Sequence, residues 1–241
     1  MREECIYAML RAIKRLSRVF YRFDIAWVHQ PPANPWRQLR LVTFLNHTSL
    51  YEPLFVGGFP DEFIKRIAYK GLMPVAVKAT RRPLMGFFFR MVAQNVVAVT
   101  RKNDHTWKQV LSTMNPDTMV VIMPEGRMMR ANGLDKHGRP MTVRGGIADI
   151  IRSIPEGRML MTYSAGLHHV QAPGQRIPKV FKTLCMRLEL VDISAYRNLL
   201  MDPYGPDGFK KALVRDLEAR RDRYCSAPEP AADSVFATSR G

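Results

Sequence analysis

Residues 46–52 contain a pair of side chains able to do acid–base chemistry, because His47 and Glu52 lie five positions apart. A continuous α-helix would place the two side chains about 140° apart, so they can meet only if the chain turns between them. A carboxylate bonded to one imidazole nitrogen fixes the tautomer and raises the basicity of the other nitrogen. The pair is therefore a candidate general base for a hydroxyl group. The alternative is that Ser49-x-x-Glu52 is a capping box that starts a short helix, with His47 as a turn residue.

Three polar turns follow predicted strands, and the first of them contains His47. The apolar run 39–45 predicts a buried strand, so His47 lies where a strand gives way to a turn, as ligand sites of α/β proteins do. The other two turns are Thr100-Arg101-Lys102 and Pro124-Glu125-Gly126-Arg127. If the three strands are neighbours in one sheet, the turns meet at one edge. Arginine there can hold a phosphate and glycine lets the backbone approach a ligand, although plain solvation also explains the arginines.

Strand and helix patterns alternate along the chain, which predicts an α/β fold with a mixed, largely parallel sheet flanked by helices. The expected strands are 39–45, 74–78, 96–99, 118–123, 159–163 and 180–191, and the expected helices after the first are 84–93, 108–114, 145–151 and 209–221. The apolar stretch around 83–99 is interrupted by polar residues. Its uninterrupted apolar run is well short of the roughly 20 residues that a membrane span requires.

Residues 1–27 predict a basic amphipathic helix, with Arg and Lys opposite Leu, Ile and Phe. This pattern is typical of a helix in a membrane interface, and docking on the protein's own core explains it equally well. The segment is too charged to span a membrane and has neither the apolar run nor the cleavage site of a signal peptide. We expect a membrane-associating helix at 1–30, a globular domain at 31–225 and a disordered tail at 226–241.

The charge of the chain is strongly positive. Lys and Arg number 37 against 21 Asp and Glu in 241 residues, a net charge of +16. Such a field attracts nucleic acid, anionic bilayers or phosphorylated substrates, and charge alone does not choose among them. The three cysteines, Cys5, Cys185 and Cys225, are widely spaced and form no ligand motif. This usage indicates a reducing compartment, without a structural disulfide or zinc.

Taken in order, these stretches resemble the glycerolipid acyltransferase family, which includes 1-acylglycerol-3-phosphate O-acyltransferases and lysophospholipid acyltransferases. The family's first motif is Asn-His-x-Ser-x-x-Asp, and residues 46–52 are similar to it with Glu52 in place of Asp. The third motif is Phe-Pro-Glu-Gly-Thr-Arg, and residues 123–128 are similar to its first four positions. The resemblance extends from about residue 41 to residue 164.

Two further elements agree with the same family. Val99-Thr100-Arg101 resembles the second motif, in which a strand ends with an arginine, and Lys78 and residues 83–86 precede it at the expected interval. Residues 143–148 resemble the basic-Gly-x-x-x-Ala helix start that follows the third motif. Four elements in the right order make the resemblance specific.

The resemblance implies transfer of a fatty acyl group from acyl-CoA or acyl-carrier protein to a hydroxyl of a lyso-lipid such as 1-acylglycerol-3-phosphate, in membrane lipid biosynthesis. His47, oriented by Glu52, would remove the hydroxyl proton without an acyl-enzyme, and no metal or redox cofactor would be needed. Backbone amides near Gly126 or just after His47 would be candidate oxyanion donors. The substrate-binding residues implied by the motifs are Asn46, Ser49, Lys78, Arg101, Glu125, Gly126 and Arg127.

Two departures from the family pattern leave the acceptor open. The Thr-Arg of the third motif is missing and arginines stand at Arg127 and Arg130 instead, while the proline-centred fourth motif is only weakly matched at residues 161–164. The acceptor can therefore be a lyso-aminolipid that contains an amino acid. An inactive lipid-binding member of the family is a further alternative.

The expected partners are the lyso-lipid, the acyl donor and an anionic membrane surface, and the expected location is the cytoplasmic face of a membrane, peripheral or monotopic. A basic nucleic-acid-binding protein is the alternative of another class. The charges are scattered and no recognition motif is present, so nucleic acid is not an expected partner.

Overall fold

A seven-stranded sheet with helices on both faces organises the chain. The computed structural model describes residues 1–80, 95–100, 105–172, 175 and 177–225. The strands are β1 (Tyr21–Trp27), β2 (Leu39–Leu45), β3 (Gly71–Ala76), β4 (Asn95–Val99), β5 (Met119–Ile122), β6 (Arg158–Ser164) and β7 (Lys182–Asp192). The helices are α1 (Arg2–Phe20), a 3₁₀ helix (Glu52–Gly58), α2 (Asp61–Lys70), α3 (Val77–Thr80), α4 (His105–Thr113), α5 (Gly146–Ser153) and α6 (Ile193–Tyr224).

The strand order is β1-β7-β6-β2-β5-β3-β4, and the directions are mixed but mainly parallel. Strands β2 to β6 run the same way, β7 is antiparallel to β6, and β1 is parallel to β7. The carboxyl ends of β2 to β6 and the amino ends of β1 and β7 therefore lie at the same edge, here called the carboxyl edge. The predicted α/β fold with a largely parallel sheet is confirmed.

Residues of β2 enter two separate cores on opposite faces of the sheet, which is why the strand is apolar along its length. A register shift between Leu39 and Leu41 places these two residues in different cores. Leu41 and Leu45 pack in the core beneath α5 and α6, and Leu39 and Val42 pack in the core beneath α1 and α2. All four side chains are fully buried. Burial on both faces fixes the register of β2 and hence the point at which the chain leaves the sheet before His47.

The prediction of one helix over residues 1–27 is wrong beyond Phe20. Residues 21–27 form β1, which pairs with β7 from Tyr21 opposite Lys182 to Trp27 opposite Leu188. Its aromatic and β-branched residues favour a strand once a partner edge is present, and a helical spacing of apolar residues cannot show that edge.

The apolar face of α1 packs on the protein. Ile6 and Leu10 are only 3% and 2% exposed and belong to the core beneath α1 and α2. On the same buried face of α1, one turn further on, Lys14 pairs with Asp61 at the start of α2. Of the two alternatives for this helix, docking on the protein's own core is what the structure shows for these side chains.

Most other predicted elements are present with shifted ends, and the predicted strand 74–78 extends two residues past the observed end of β3. Strand β3 ends at Ala76, so Val77 and Lys78 lie in α3 and not in the predicted strand 74–78. The predicted helix 84–93 and the predicted tail 226–241 lie outside the described residues. No helix of the described part of the chain is long and apolar enough to cross a membrane.

Helix α6 is longer than the predicted helix 209–221 because two helical segments join at a break. Gly205 has φ 63° and ψ 176°, and Pro203 and Pro206 lie on either side of it. Such dihedrals are accessible essentially to glycine alone. The break lets the second segment turn back over the sheet, where Phe209, Leu213 and Leu217 are buried in one core.

A buried polar network fastens α6 to the sheet. Glu189 of β7 accepts hydrogen bonds from Tyr163 of β6 at 2.5 Å and from Arg220 of α6 at 2.6 Å. Arg220 also pairs with Asp216 at 2.7 Å, and Asp216 accepts a hydrogen bond from Tyr196. Burial, reinforced by Glu189, raises the pKa of Tyr163. The network fixes the last turns of α6 at the carboxyl edge, next to Glu125.

Candidate active site

The predicted contact between His47 and Glu52 is present. The chain leaves β2, turns through residues 46–52, here called the His47 loop, and brings the Glu52 carboxylate to Nδ1 of His47. Glu52 is the first residue of the 3₁₀ helix and is only 4% exposed. Its other oxygen accepts the backbone amides of Thr48 at 2.7 Å and Ser49 at 3.1 Å. The bond from the Ser49 amide is a feature of the capping-box alternative, so one carboxylate both caps the loop and orients the imidazole.

The imidazole is arranged as a base. Nδ1 donates to Glu52, which leaves the lone pair on Nε2, and Nε2 has no hydrogen-bond partner among the described residues. The His47 side chain is 14% exposed. Burial by itself would lower the pKa of His47, but the charge and hydrogen bond of Glu52, with the charge of Glu125, outweigh it and raise the pKa above its ordinary value.

Asn46 starts the His47 loop in a left-handed conformation, with φ 66°. Asparagine tolerates this conformation better than most residues. The turn directs the amides of Asn46 and His47 to the two oxygens of Glu125, at 3.1 and 2.9 Å. The Asn46 side chain donates to the carbonyl of Ser164 at 2.8 Å, so it joins the end of β2 to the end of β6.

Glu125 follows β5 and is 1% exposed. Burial raises the pKa of its carboxyl, whereas the two amide bonds and the charges of Arg221 and His47 act in the opposite direction. The guanidinium of Arg221, in the last turn of α6, lies 3.4 Å from the Glu125 carboxylate and donates to the carbonyl of Met141 at 3.0 Å. Glu125 therefore links the His47 loop to α6.

Gly126 makes the turn after Glu125, with φ 63°. A side chain there would meet nothing closer than 3.9 Å, so the backbone conformation and not space requires glycine. The Gly126 amide donates to the carbonyl of Met123 at 3.0 Å. The amides of Gly126, Thr48 and Ser49, predicted as possible oxyanion donors, are thus already bonded within the protein.

The segment after β6 completes the surroundings of the His47 loop. Ser49 donates its hydroxyl to Gln171 at 2.8 Å, and the amide of Leu167 donates to the hydroxyl of Thr48 at 2.7 Å. No residue of this segment was among the predicted site residues. Its position directly after a strand that ends at the carboxyl edge was the available signal, since the other polar turns were found in that way.

Arg127 points to a neighbouring loop. Its guanidinium pairs with Asp135, which is 2% exposed. Burial opposes ionisation of Asp135, but the amides of Arg139 and His137 and the Arg127 guanidinium together lower its pKa to about 2. Arg127 therefore holds the loop between β5 and α5 in place.

Six of the predicted site residues meet at the carboxyl edge. Of the other three, one is directed to a neighbouring loop and two have side chains outside the described part of the chain. Asn46, His47, Ser49, Glu52 and Glu125 are joined by the contacts given above, and Gly126 directly follows Glu125 in the chain. The Arg127 side chain is engaged by Asp135. Lys78 lies in α3, directly after β3, but its side chain is outside the described part of the chain, as is all of Arg101. Roles of these residues in binding substrate stay predictions.

The described side chains include no group of three or more His, Cys, Asp or Glu that could hold a metal ion. The acid and base groups at the carboxyl edge are instead paired with one another or with backbone amides.

Comparison with solved structures agrees with the architecture. The protein is similar to the 1-acyl-sn-glycerophosphate (LPA) acyltransferase PlsC from Thermotoga maritima, with a TM-score of 0.57 and 16% sequence identity, over 92% of this chain and 81% of that chain. No protein-family model matches the sequence, and no curated protein matches it significantly. The class defined by the fold is thus an α/β protein with a mixed seven-stranded sheet. Within that class, the fold is that of the glycerolipid acyltransferase PlsC.

Proposed function

We propose that the protein is an O-acyltransferase that moves a fatty acyl group from an acyl-thioester to a hydroxyl of a lyso-lipid. The observation that supports it most is the His47–Glu52 pair at the carboxyl edge of a PlsC-like fold, with Nδ1 bonded to a buried carboxylate. Such a pair can remove the proton of a hydroxyl acceptor as its oxygen attacks. The thioester donor supplies the electrophilic carbonyl carbon that is attacked.

The reaction requires one proton to move twice. Nε2 of His47 takes the proton of the acceptor hydroxyl as the oxygen attacks the thioester carbonyl carbon. The carbon–sulfur bond then breaks, and the imidazolium returns the proton to the departing thiolate, so the products are an ester and a free thiol. Glu52 stabilises the imidazolium formed between the two steps and holds the ring in one tautomer.

The acceptor that we favour is 1-acylglycerol-3-phosphate, at an anionic membrane on its cytoplasmic face. A net charge of +16 suits an acceptor and a surface that carry phosphate, and the similar protein is named for this acceptor. Arg101 and Lys78 are the proposed contacts of the head group. Acyl-CoA and acyl-carrier protein are both proposed donors.

The pairing of Arg127 supports a second acceptor. Asp135 neutralises this guanidinium at Nη1, and its Nε is buried without a hydrogen-bond partner among the described residues, so Arg127 offers a phosphate less positive charge than an unpaired arginine would. An amino-acid-containing lyso-lipid, with a different need for positive charge, is accordingly the alternative substrate of the same mechanism.

Replacement of the base tests the proposal. We expect His47→Ala to lower acyl transfer by about 10²- to 10⁴-fold, the usual contribution of general acid–base catalysis, without loss of the fold. The assay supplies acyl-CoA or acyl-carrier protein as donor, offers each of the two acceptors, and detects the ester by mass spectrometry. His137→Ala is the matched control, since this imidazole lies in an exposed loop. An unchanged rate in the folded His47→Ala protein would eliminate the mechanism.

A further inference from the structure

Five large apolar side chains are exposed in two segments that touch each other. They are Leu16 (57% exposed), Val19 (68%), Ile177 (81%), Val180 (40%) and Phe181 (66%), here called the docking patch. The segments meet where the amide of Phe181 donates to the carbonyl of Phe20 at 2.6 Å, and the two phenyl rings lie 6.1 Å apart. Apolar surface that is exposed in a group marks an interaction site more often than single exposed residues do.

The docking patch lies at the carboxyl edge. Strand β1 begins at Tyr21 and β7 begins at Lys182, and these two residues are paired. The end of α1 and the residues before β7 therefore project from the edge that also carries His47. Nearby, the amide of Ala165, just after β6, donates to the carbonyl of Cys185, which ties the start of β7 to the end of β6.

The backbone at Phe181 indicates that this exposure is maintained at a cost. Phe181 has φ 59°, in the left-handed region that bulky residues rarely adopt. Its hydrogen bond to Phe20 holds the conformation while the side chain stays 66% exposed. Strained conformations of this kind cluster at sites of function.

Basic residues surround the patch in the sequence and are exposed in the structure. These residues are Arg15, Arg18, Arg22, Lys179 and Lys182. Neither residues 11–23 nor residues 177–182 contain an acidic residue. Apolar side chains bordered by cations fit the interface of an anionic bilayer, where the former enter the acyl region and the latter meet phosphates.

We propose that the docking patch inserts into the interface of an anionic phospholipid bilayer and thereby turns the carboxyl edge, with His47, toward the membrane. The inference rests on the proposed function for its lipid substrate, and it differs from the expectation of a helix lying along the membrane. Since Ile6 and Leu10 are packed in the core, α1 meets the lipid only through its C-terminal turn.

Vesicle binding of the full chain tests this orientation. Sedimentation is measured with vesicles of phosphatidylcholine alone and of phosphatidylcholine mixed with phosphatidylglycerol. We expect binding to the mixed vesicles to be at least about tenfold weaker for Phe181→Glu and for Val19→Glu. Each substitution removes an apolar side chain that would be buried in the lipid. Leu199→Glu is the matched control. Leu199 is 64% exposed on α6, a helix that begins at the opposite edge, and the substitution changes net charge equally.

The outcomes separate docking from catalysis. Equal binding by Phe181→Glu and wild type, or equal loss in Leu199→Glu, would overturn the proposal. The proposal would also be overturned if the patch variants bound acyl-carrier protein more weakly but bound vesicles as well as wild type does. The docking patch would then bind a protein and not a membrane. Transfer to acceptor in detergent micelles is measured in parallel, and we expect Phe181→Glu to retain it. A protein without any transfer whose vesicle binding still depends on Phe181 would retain the docking surface and lose the proposed function.

Discussion

At the residue scale, the two oxygens of Glu52 have separate tasks. One orients His47 and the other accepts the amides of Thr48 and Ser49. Glutamine at position 52 keeps an amide acceptor for the loop but removes the negative charge beside the imidazole. The substitution therefore separates the structural task from the electrostatic one.

We expect Glu52→Gln to shift the acid limb of kcat/KM to lower pH and to reduce kcat by about tenfold or more. A base is active when neutral, so the rate rises with pH through the pKa of His47, which Glu52 raises. Without that charge, burial lowers the pKa and the limb moves down. A pH profile of kcat/KM measures the shift, with exposed Glu62→Gln as control. A limb that stays in place would show that His47 is not the titrating base.

Arg221 acts on His47 only through Glu125, as a positioning residue. Glu125 must be ionised to accept the amides of both Asn46 and His47, and its charged neighbours are His47 in the loop and Arg221 in α6. The thiol of Cys225, just beyond α6, is a further titratable neighbour, and burial raises its pKa.

We expect Arg221→Gln to move the acid limb of kcat/KM to higher pH, opposite to Glu52→Gln. Loss of the positive charge raises the pKa of Glu125 further, so the carboxyl becomes protonated at a pH at which the wild-type group is ionised. The activity below that point should fall about fivefold, which corresponds to roughly 1 kcal/mol lost from a largely buried pair at the long distance of 3.4 Å. Arg221→Lys should restore the profile, and exposed Arg215→Gln should leave it unchanged. Loss of activity at every pH equally, without rescue by lysine, would contradict the positioning role.

Contacts between residues that are far apart in the sequence are the ones that could not be predicted at this scale. Spacing showed only that His47 and Glu52 can meet if the chain turns between them, and the family resemblance implied that they do. The family resemblance implied that Glu125 binds substrate, and it could not show that the Glu125 oxygens also accept the amides of Asn46 and His47. Arg221 lies 96 positions from Glu125, and no local pattern connects residues so far apart.

At the element scale, the break in α6 is the feature that residue patterns least reveal. The sequence predicted only the helix 209–221, whereas the structure shows helix on both sides of the two prolines and the glycine at 203–206. The end of α1 is a similar case. Strand β1 exists because β7 offers it a parallel partner, and pairing with a distant strand overrides a helical spacing of apolar residues.

We expect Gly205→Ala to lower the free energy of unfolding by about 1–3 kcal/mol. No atom lies within 4 Å of an added Cβ, so the whole effect comes from the backbone, which has φ 63° and ψ 176° there. Urea denaturation measures the change, and Asp207→Ala, at an exposed position two residues on, is the control. If Gly205→Ala left the free energy of unfolding unchanged, the break in α6 would not depend on glycine. The position of the second half of α6 would then have another cause.

At the scale of the whole molecule, the fold was more predictable than the surface. Alternating strand and helix patterns indicated the largely parallel sheet. Because β2 and β5 are buried on both faces, each is a continuous apolar run that can be recognised in the sequence. The composition gave the net charge of +16 but not its arrangement around the docking patch. That arrangement depends on β1 and β7 bringing together segments about 160 residues apart in the chain.

The net charge leads to a prediction about salt. The Debye length falls from about 10 Å at 0.1 M salt to about 3 Å at 1 M, which screens attraction between exposed cations and a lipid surface. We therefore expect the apparent KM for acceptor in anionic vesicles to rise by at least about tenfold over this range, with kcat little changed, because chemistry at the buried His47–Glu52 pair is shielded from solvent ions. Acceptor in neutral detergent micelles is the control and should show little salt dependence. An equal rise of KM in both assemblies would mean that the positive charge acts on the substrate itself and not on the membrane that holds it.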